Sequence, residues 1–384
     1  MKYSLTTITL ISILLSGTQS FPAHAQQDVQ SANLSPQLSV VRNAAELESQ
    51  LKNGSTPLDA FTPYGRREFL RGLKWGTSGL SGFSTSAMQR ELNAEQILSL
   101  AKWLDFESYI QHLLAEAKLY PPLRLGDPSP ELEQRTLNLI SLLGQNKQIK
   151  DHQTGISRRD FSEIVVRFER DFRNELRPQQ LTSLSDSDVV LLFDCVVELA
   201  AASLNQRLID AQNQLFQELK RRQIETRRGI NQSMLATMLS QRDFEKARTF
   251  VAEHSDLDTR RIPTVKSNLP KNFQGRSAYA YDSITNTLIQ HEVHFTTKKR
   301  LVMVVGAGCH FSHDALAKIS SDPDLQNAAR QFDLLILNPP SEPAPLFFIE
   351  NWNNKHPELP IYVVSNRQEW LDIDRSGVPM FYIF

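Results

Sequence analysis

Residues 301–312, LVMVVGAGCHFS, set the strongest constraint on the fold. Residues 301–305 are an apolar, β-branched-rich run of strand length. Gly306, Ala307 and Gly308 follow as a tight, permissive turn. Residues 310–319 can then be helical, because Ala315, Leu316 and Ile319 recur on one face and Lys318 falls in the last turn. Cys309, the only cysteine in the C-terminal half, therefore sits at a strand-to-helix turn. There, free backbone N–H groups and the helix dipole favour a reactive thiol.

Two kinds of turn share this outline. Gly306-Ala307-Gly308 after a strand opens a dinucleotide fingerprint, but Phe311 stands where its third glycine belongs. That side chain removes the close helix–strand approach the fingerprint needs, so no nucleotide is expected. Cys309-His310-Phe311-Ser312 has instead the Cys-x-x-Ser form, and Gly377-Val378-Pro379-Met380 precedes a final apolar run, residues 381–384. With the order strand 301–305, helix, strand 333–337, helix near 345–354, strand 361–364 and then Val378-Pro379, this stretch resembles the thioredoxin-like superfamily. It is most similar to the periplasmic reductase-like branch, over roughly residues 276–384. The resemblance implies a nucleophile at Cys309 flanked by His310 and Ser312. It also implies a cis-proline loop at Val378 and Pro379 that faces the cysteine and receives a substrate backbone. Two departures stand out: the second active-site cysteine is Ser312, and the usual last strand and terminal helix have no residues beyond Phe384 to form them.

The first 25 residues carry Lys2, an apolar run over residues 5–15 too short to span a bilayer, and Ala23-His24-Ala25 before Gln26. This is the pattern of a cleaved secretory signal peptide, and the protein is expected in the periplasm or otherwise exported. The residue directly after the cleavage point is Gln26 and not a cysteine, and no later run reaches transmembrane length, so stable membrane insertion is not expected. The formal charge is −1, and Lys2 is the only charge in the signal segment. Nothing in that balance suggests nucleic acid as a partner. In an oxidising compartment Cys195 could pair with Cys309 or resolve it, but Leu191, Leu192, Phe193 and Val196 around it suggest a buried, inert thiol.

The fold class read from the chain is α+β with two domains. A flexible lead-in (26–56) precedes an all-helical domain (57–255). A linker (256–275) then leads to an α/β thioredoxin-like domain (276–384) that opens with a hairpin of runs 276–281 and 288–295. Thr62-Pro63 begins a helix expected to reach about Trp75, and the glycine-rich GTSGLSGFS is read as a helix–loop–helix connection, since it lacks the lysine of a P-loop. Asn93 caps the next helix, further helices are read at 131–143 and 157–173, and one long helical stretch runs from about 185 to 228. Along it Leu204, Leu208, Ala211, Leu215 and Leu219 form an apolar stripe, and Lys220, Arg221, Arg222, Arg227 and Arg228 form a solvated face. Segments 232–240 and 242–254 form a helical hairpin. His112, His152 and His254 are scattered, and His291 and His294 face opposite sides of a strand, so no metal or other cofactor is expected.

Two functions fit these residues. One is a binding or assembly module of the cell envelope, in which the proline loop holds a protein or peptide partner and redox work is lost. The alternative is thiol–disulfide exchange with Cys309 as nucleophile, isomerase-like or resolved by an outside thiol, because Ser312 cannot resolve a mixed disulfide. The missing second cysteine leans towards the first.

Overall fold

The computed structural model describes residues 39–76, 79–107, 110–119, 121–145, 148–150, 157–225, 229–257, 262–295, 299–373 and 378–384. The signal segment, most of the lead-in, His152, Arg227, Arg228 and Gly377 lie outside them. Helices and strands are mixed, as the α+β reading requires, and Val40–Phe384 is one compact unit.

The chain begins with α1 (Ala44–Asn53), capped by Asn43, whose side chain accepts from the Glu46 N–H. Thr62 caps α2 (Pro63–Arg71) by accepting from the Gly65 N–H, with Pro63 in the first turn. This helix stops well before Trp75. The glycine-rich stretch is a hairpin, β1 (Lys74–Gly76) antiparallel to β2 (Gly79–Ser81), and not a helix–loop–helix connection. Its base closes because Gly72 and Gly82 have no side chains: a Cβ on either would lie 2.2 Å or 2.1 Å from the other's carbonyl oxygen. After α3 (Thr85–Glu91), Asn93 and Gln96 form a reciprocal capping box on α4 (Ala94–Trp103), followed by α5 (Gln111–Leu119). Phe69, Met88, Ile97 and Phe106 are central to the core these helices share.

A second helical core is built by α6 (Pro130–Gly144), α7 (Ser162–Phe172), α8 (Pro178–Ser183), α9 (Asp186–Ser203), α10 (Gln206–Arg221), α11 (Ile230–Ser240) and α12 (Phe244–Glu253). Between α6 and α7, β3 (Gln148–Lys150) pairs antiparallel with β4 (Ser157–Arg159), so α7 starts later than expected. The long stretch 185–228 is two helices. Leu204 turns into the left-handed region (φ 50°) and Asn205 caps α10 by accepting from the Arg207 N–H at 3.0 Å. Leu208, Ala211, Leu215 and Leu219 are buried as the stripe predicts. Within the basic cluster, Arg222 is not solvated. Its side chain is 11% exposed, donates to the carbonyls of Leu181 and Leu184 at the end of α8, and pairs with Glu218 and Asp186. Together with Arg221 it holds the Glu218 carboxyl down at about 2.

The remaining chain forms a seven-stranded sheet from β5 (Thr264–Ser267), β6 (Ser277–Asp282), β7 (Thr287–Glu292), β8 (Leu301–Val304), β9 (Leu335–Leu337), β10 (Ile361–Val364) and β11 (Met380–Ile383), in the order β11-β8-β9-β10-β6-β7-β5. The neighbouring interior strands β8, β9 and β10 are parallel and nearly all apolar. They are connected through α13 (His310–Ser321), α14 (Pro323–Gln331) and α15 (Leu346–Lys355). Met303, Ile336 and Val363 face Leu316 and Ile349 in one core, while Val302, Val304, Leu335 and Val364 face Trp370 in the other. β11 runs antiparallel to β8, and β6 antiparallel to β10. The edge strand β5 lies inside the segment read as linker: its TVKS sequence pairs parallel with β7. On β11, Phe381 and Ile383 are 49% and 69% exposed, whereas Met380, Tyr382 and Phe384 pack inward.

The helical hairpin α11–α12 is fastened to this sheet. Phe244 is buried against Tyr279 of β6. Arg242, between the two helices, donates to Val364 O at 2.8 Å and Glu342 O at 2.7 Å. In the other direction Arg367 donates to Ala202 O at 2.9 Å.

Candidate functional site around Cys309

The site stands at the C-terminal end of β8. The Val305 N–H donates to Leu337 O at 2.9 Å, which extends the ladder to the edge of the turn. Cys309 is the N-cap of α13, and its carbonyl accepts from the N–H groups of Ser312 and His313 at 3.0 and 3.2 Å. Its sulfur is half-buried and donates to Val378 O at 3.1 Å. The Val378-Pro379 peptide bond is cis. Val378 of the expected proline loop is therefore beside the cysteine, and Pro379 follows it directly. Gly306 makes the approach possible, since a Cβ there would lie 2.8 Å from Val378 Cγ2.

Ser312 is fully buried, and the Gly306 N–H donates to its hydroxyl at 3.2 Å. It closes the turn from inside and does not reach the surface the sulfur faces. His310 is exposed and its ring lies against Phe311, with centroids 3.8 Å apart. His313, which sequence reasoning passed over, bonds Ala307 O through Nε2 at 2.7 Å and lies tilted against Phe348, with centroids 4.9 Å apart. The signal for it was its place one turn into the helix that Cys309 caps, where a ring can reach back to the preceding loop. Phe311 and Phe347, in the first turns of α13 and α15, are 61% and 79% exposed.

Cys195 is not at this site. It lies in α9 among the buried residues of the second helical core, and both cysteines are free thiols. Burial pushes its thiol up, and the neighbouring Glu198 and Asp194 carboxylates add to the effect. Among the described residues no group of three or more His, Cys, Asp or Glu could hold a metal ion. His294 lies 3.3 Å from Glu292 on the exposed end of the hairpin. The arrangement around Cys309 offers one half-buried thiol and the backbone carbonyl of Val378 beside it, with exposed Phe311 two residues further along. It offers no second thiol in the motif.

No protein-family model matches the chain, and no curated protein matches it. A crystal structure of a thioredoxin-like protein from Bacteroides caccae is a structural neighbour at 13% sequence identity and a TM-score of 0.22, covering 56% of this chain and 78% of that one. Among the described residues no helix is long and apolar enough to cross a membrane.

Proposed function

We propose that residues 276–384 form a thioredoxin-like domain with a single-cysteine site that holds an extended polypeptide, and that the protein works as a binding or assembly module in the cell envelope after export. The observation that carries this reading is the Cys309–Val378 contact: the sulfur meets the carbonyl of the residue before the cis-proline at 3.1 Å. A backbone edge beside a thiol is a place where an extended chain can pair through its main chain. Phe311, 61% exposed two residues after Cys309, supplies apolar surface for its side chains. The burial of Ser312 and the distance of Cys195 from the site in the fold favour holding over disulfide exchange, since neither provides a resolving group. The half-exposed Cys309 sulfur is what favours the second reading, a thiol that attacks disulfides and is released by an outside thiol. Export rests on the Lys2, apolar-run and Ala23-His24-Ala25 pattern.

Amide hydrogen exchange with a reduced, carboxymethylated unfolded protein tests the reading. Added polypeptide slows exchange in residues 378–384 and 306–313, and Cys309→Ser retains that protection. Insulin reduction by dithiothreitol is not accelerated. Acceleration that disappears in Cys309→Ser establishes exchange chemistry instead, and absence of protection removes the holding site. N-terminal sequencing from an envelope fraction should begin at Gln26; a chain beginning at Met1 there removes the cleavage step.

A further inference from the structure

Between the two helical cores lies a cavity of about 280 Å³, lined by α2, α3, α6, α9 and the first turn of α11. It shares no residue with the Cys309 turn. Its size suits a ligand at the small end of what protein sites accept.

The charged side chains in this lining are already committed. Arg71 Nη2 lies 2.6 Å from Glu133 Oε1, and Arg90 Nη2 lies 2.5 Å from Glu68 Oε2. Asp194 stands 3.8 Å from Arg90, and Glu198 has a partner of its own. A charged ligand would have to break one of these pairs or enter without a counterion, and taking an uncompensated ion out of water is costly.

What the lining leaves unused is neutral. The Tyr64 phenol on α2 and the hydroxyls of Ser86 on α3 and Ser233 on α11 border the cavity, and among the described residues none of the three makes a hydrogen bond. All three residues are half-buried, so their hydroxyls are satisfied only by what occupies the cavity. Burial pushes the Tyr64 phenol up, and the Glu68 carboxylate adds to the effect, so it remains an O–H donor at neutral pH. Leu137 and Ile140 of α6 and Leu191 and Val197 of α9 supply partly buried apolar surface in the same cavity. Three hydroxyls brought from three separate elements to an apolar wall have the make-up of a small-molecule site: apolar area for the body and a few polar groups to orient it.

We infer that this cavity binds a small uncharged amphiphile, a hydroxyl or amide group carried on a compact apolar body. The polar group bonds the hydroxyls of Tyr64, Ser86 and Ser233, and the body lies against Leu137, Ile140, Leu191 and Val197. The committed ion pairs act as the filter against charged molecules of the same shape.

Calorimetric titration and thermal shift of the full mature protein test this with four probes of one shape. Phenethyl alcohol carries the hydroxyl and the body, ethylbenzene the body alone, and phenethylammonium and phenylacetate the body with a positive or a negative charge. Phenethyl alcohol should raise the melting temperature, bind at least about tenfold more tightly than either charged probe, and bind several-fold more tightly than ethylbenzene. Tyr64→Phe, Ser86→Ala and Ser233→Ala should each weaken the alcohol several-fold while leaving ethylbenzene binding unchanged, which a merely structural role would not do. Val197→Trp, which fills the cavity, should abolish binding of both. Far-UV circular dichroism checks each variant, and the three hydroxyl deletions keep the test decisive should Val197→Trp not fold. The inference is overturned if phenethyl alcohol produces no heat and no shift up to about 10 mM, if either charged probe binds as tightly, or if the three hydroxyl deletions leave the preference for the alcohol over ethylbenzene unchanged.

Discussion

At the scale of single residues, the two cysteines occupy opposite environments. Cys309 is half-exposed at a turn, and Cys195 is buried in α9 with its thiol pushed up. Iodoacetamide at about pH 8 should label Cys309 in the reduced native protein and leave Cys195 unlabelled until denaturant is added. Equal, slow labelling of both would remove the case for a distinct thiol at the turn. A consequence for stability follows. A thiol that stays neutral in the fold ionises first in the unfolded chain, whose ordinary value is 9.0. Stability attached to Cys195 is therefore complete below that pH and falls as pH rises above it, and Cys195→Ala should flatten this part of the profile. Ser312 was legible as a missing second cysteine, but its bond with the Gly306 N–H was not, because burial of a hydroxyl depends on how β8 and α13 meet.

At the scale of elements, the end signals that work through near neighbours were readable. Thr62-Pro63 and Asn93 start helices as their side chains require. The β1–β2 hairpin was hidden because the glycine-rich stretch reads as a connection between helices, whereas Gly72 and Gly82 are there so that two backbones can touch. Gly82→Ala brings a Cβ to 2.1 Å from Gly72 O at a position with φ of 73°. It should cost about 2 kcal/mol or more, read as a lower midpoint in urea denaturation. Gly54→Ala serves as a control, since its added Cβ would meet nothing within 4 Å, although its φ of 145° also carries some strain. The break between α9 and α10 escaped notice for a related reason. The apolar stripe continues across Leu204 in sequence, but the backbone there turns left-handed.

At the scale of the whole molecule, one arginine from each side fastens the helices to the sheet. Arg242 is half-buried and donates to Val364 O, Glu342 O and Leu239 O, and among the described residues no carboxylate pairs with it. Burial pushes its guanidinium down to about 10, still far above neutral pH, so carbonyl dipoles hold a full cation there. Arg242→Ala leaves these carbonyls without their donor and should cost about 2–4 kcal/mol, with faster amide exchange concentrated in β10 and α11. Arg242→Lys should not restore it, because a single ammonium lacks the spread of donors that reaches carbonyls from two parts of the chain. Uniform loss of protection across the chain, with no excess at β10 and α11, would show that Arg242 is not a fastening point.

What could be read without coordinates was local. The apolar runs that became β8, β9 and β10, the turn that presents Cys309, the hairpin β6–β7 and most helix starts follow from side-chain periodicity and capping, which act over a few residues. The approach of Val378 to Cys309 was expected only through a family resemblance, since 69 residues separate the two in the chain. Other features depend on pieces of chain that meet only after folding, such as Arg222 closing the end of α8, or Arg242 reaching β10. The edge strand β5 belongs with them: a short polar segment becomes a strand when β7 offers it a ladder. Its four residues carry too little apolar signal to specify a strand, and the hydrogen bonds that define it come from a partner more than twenty residues away.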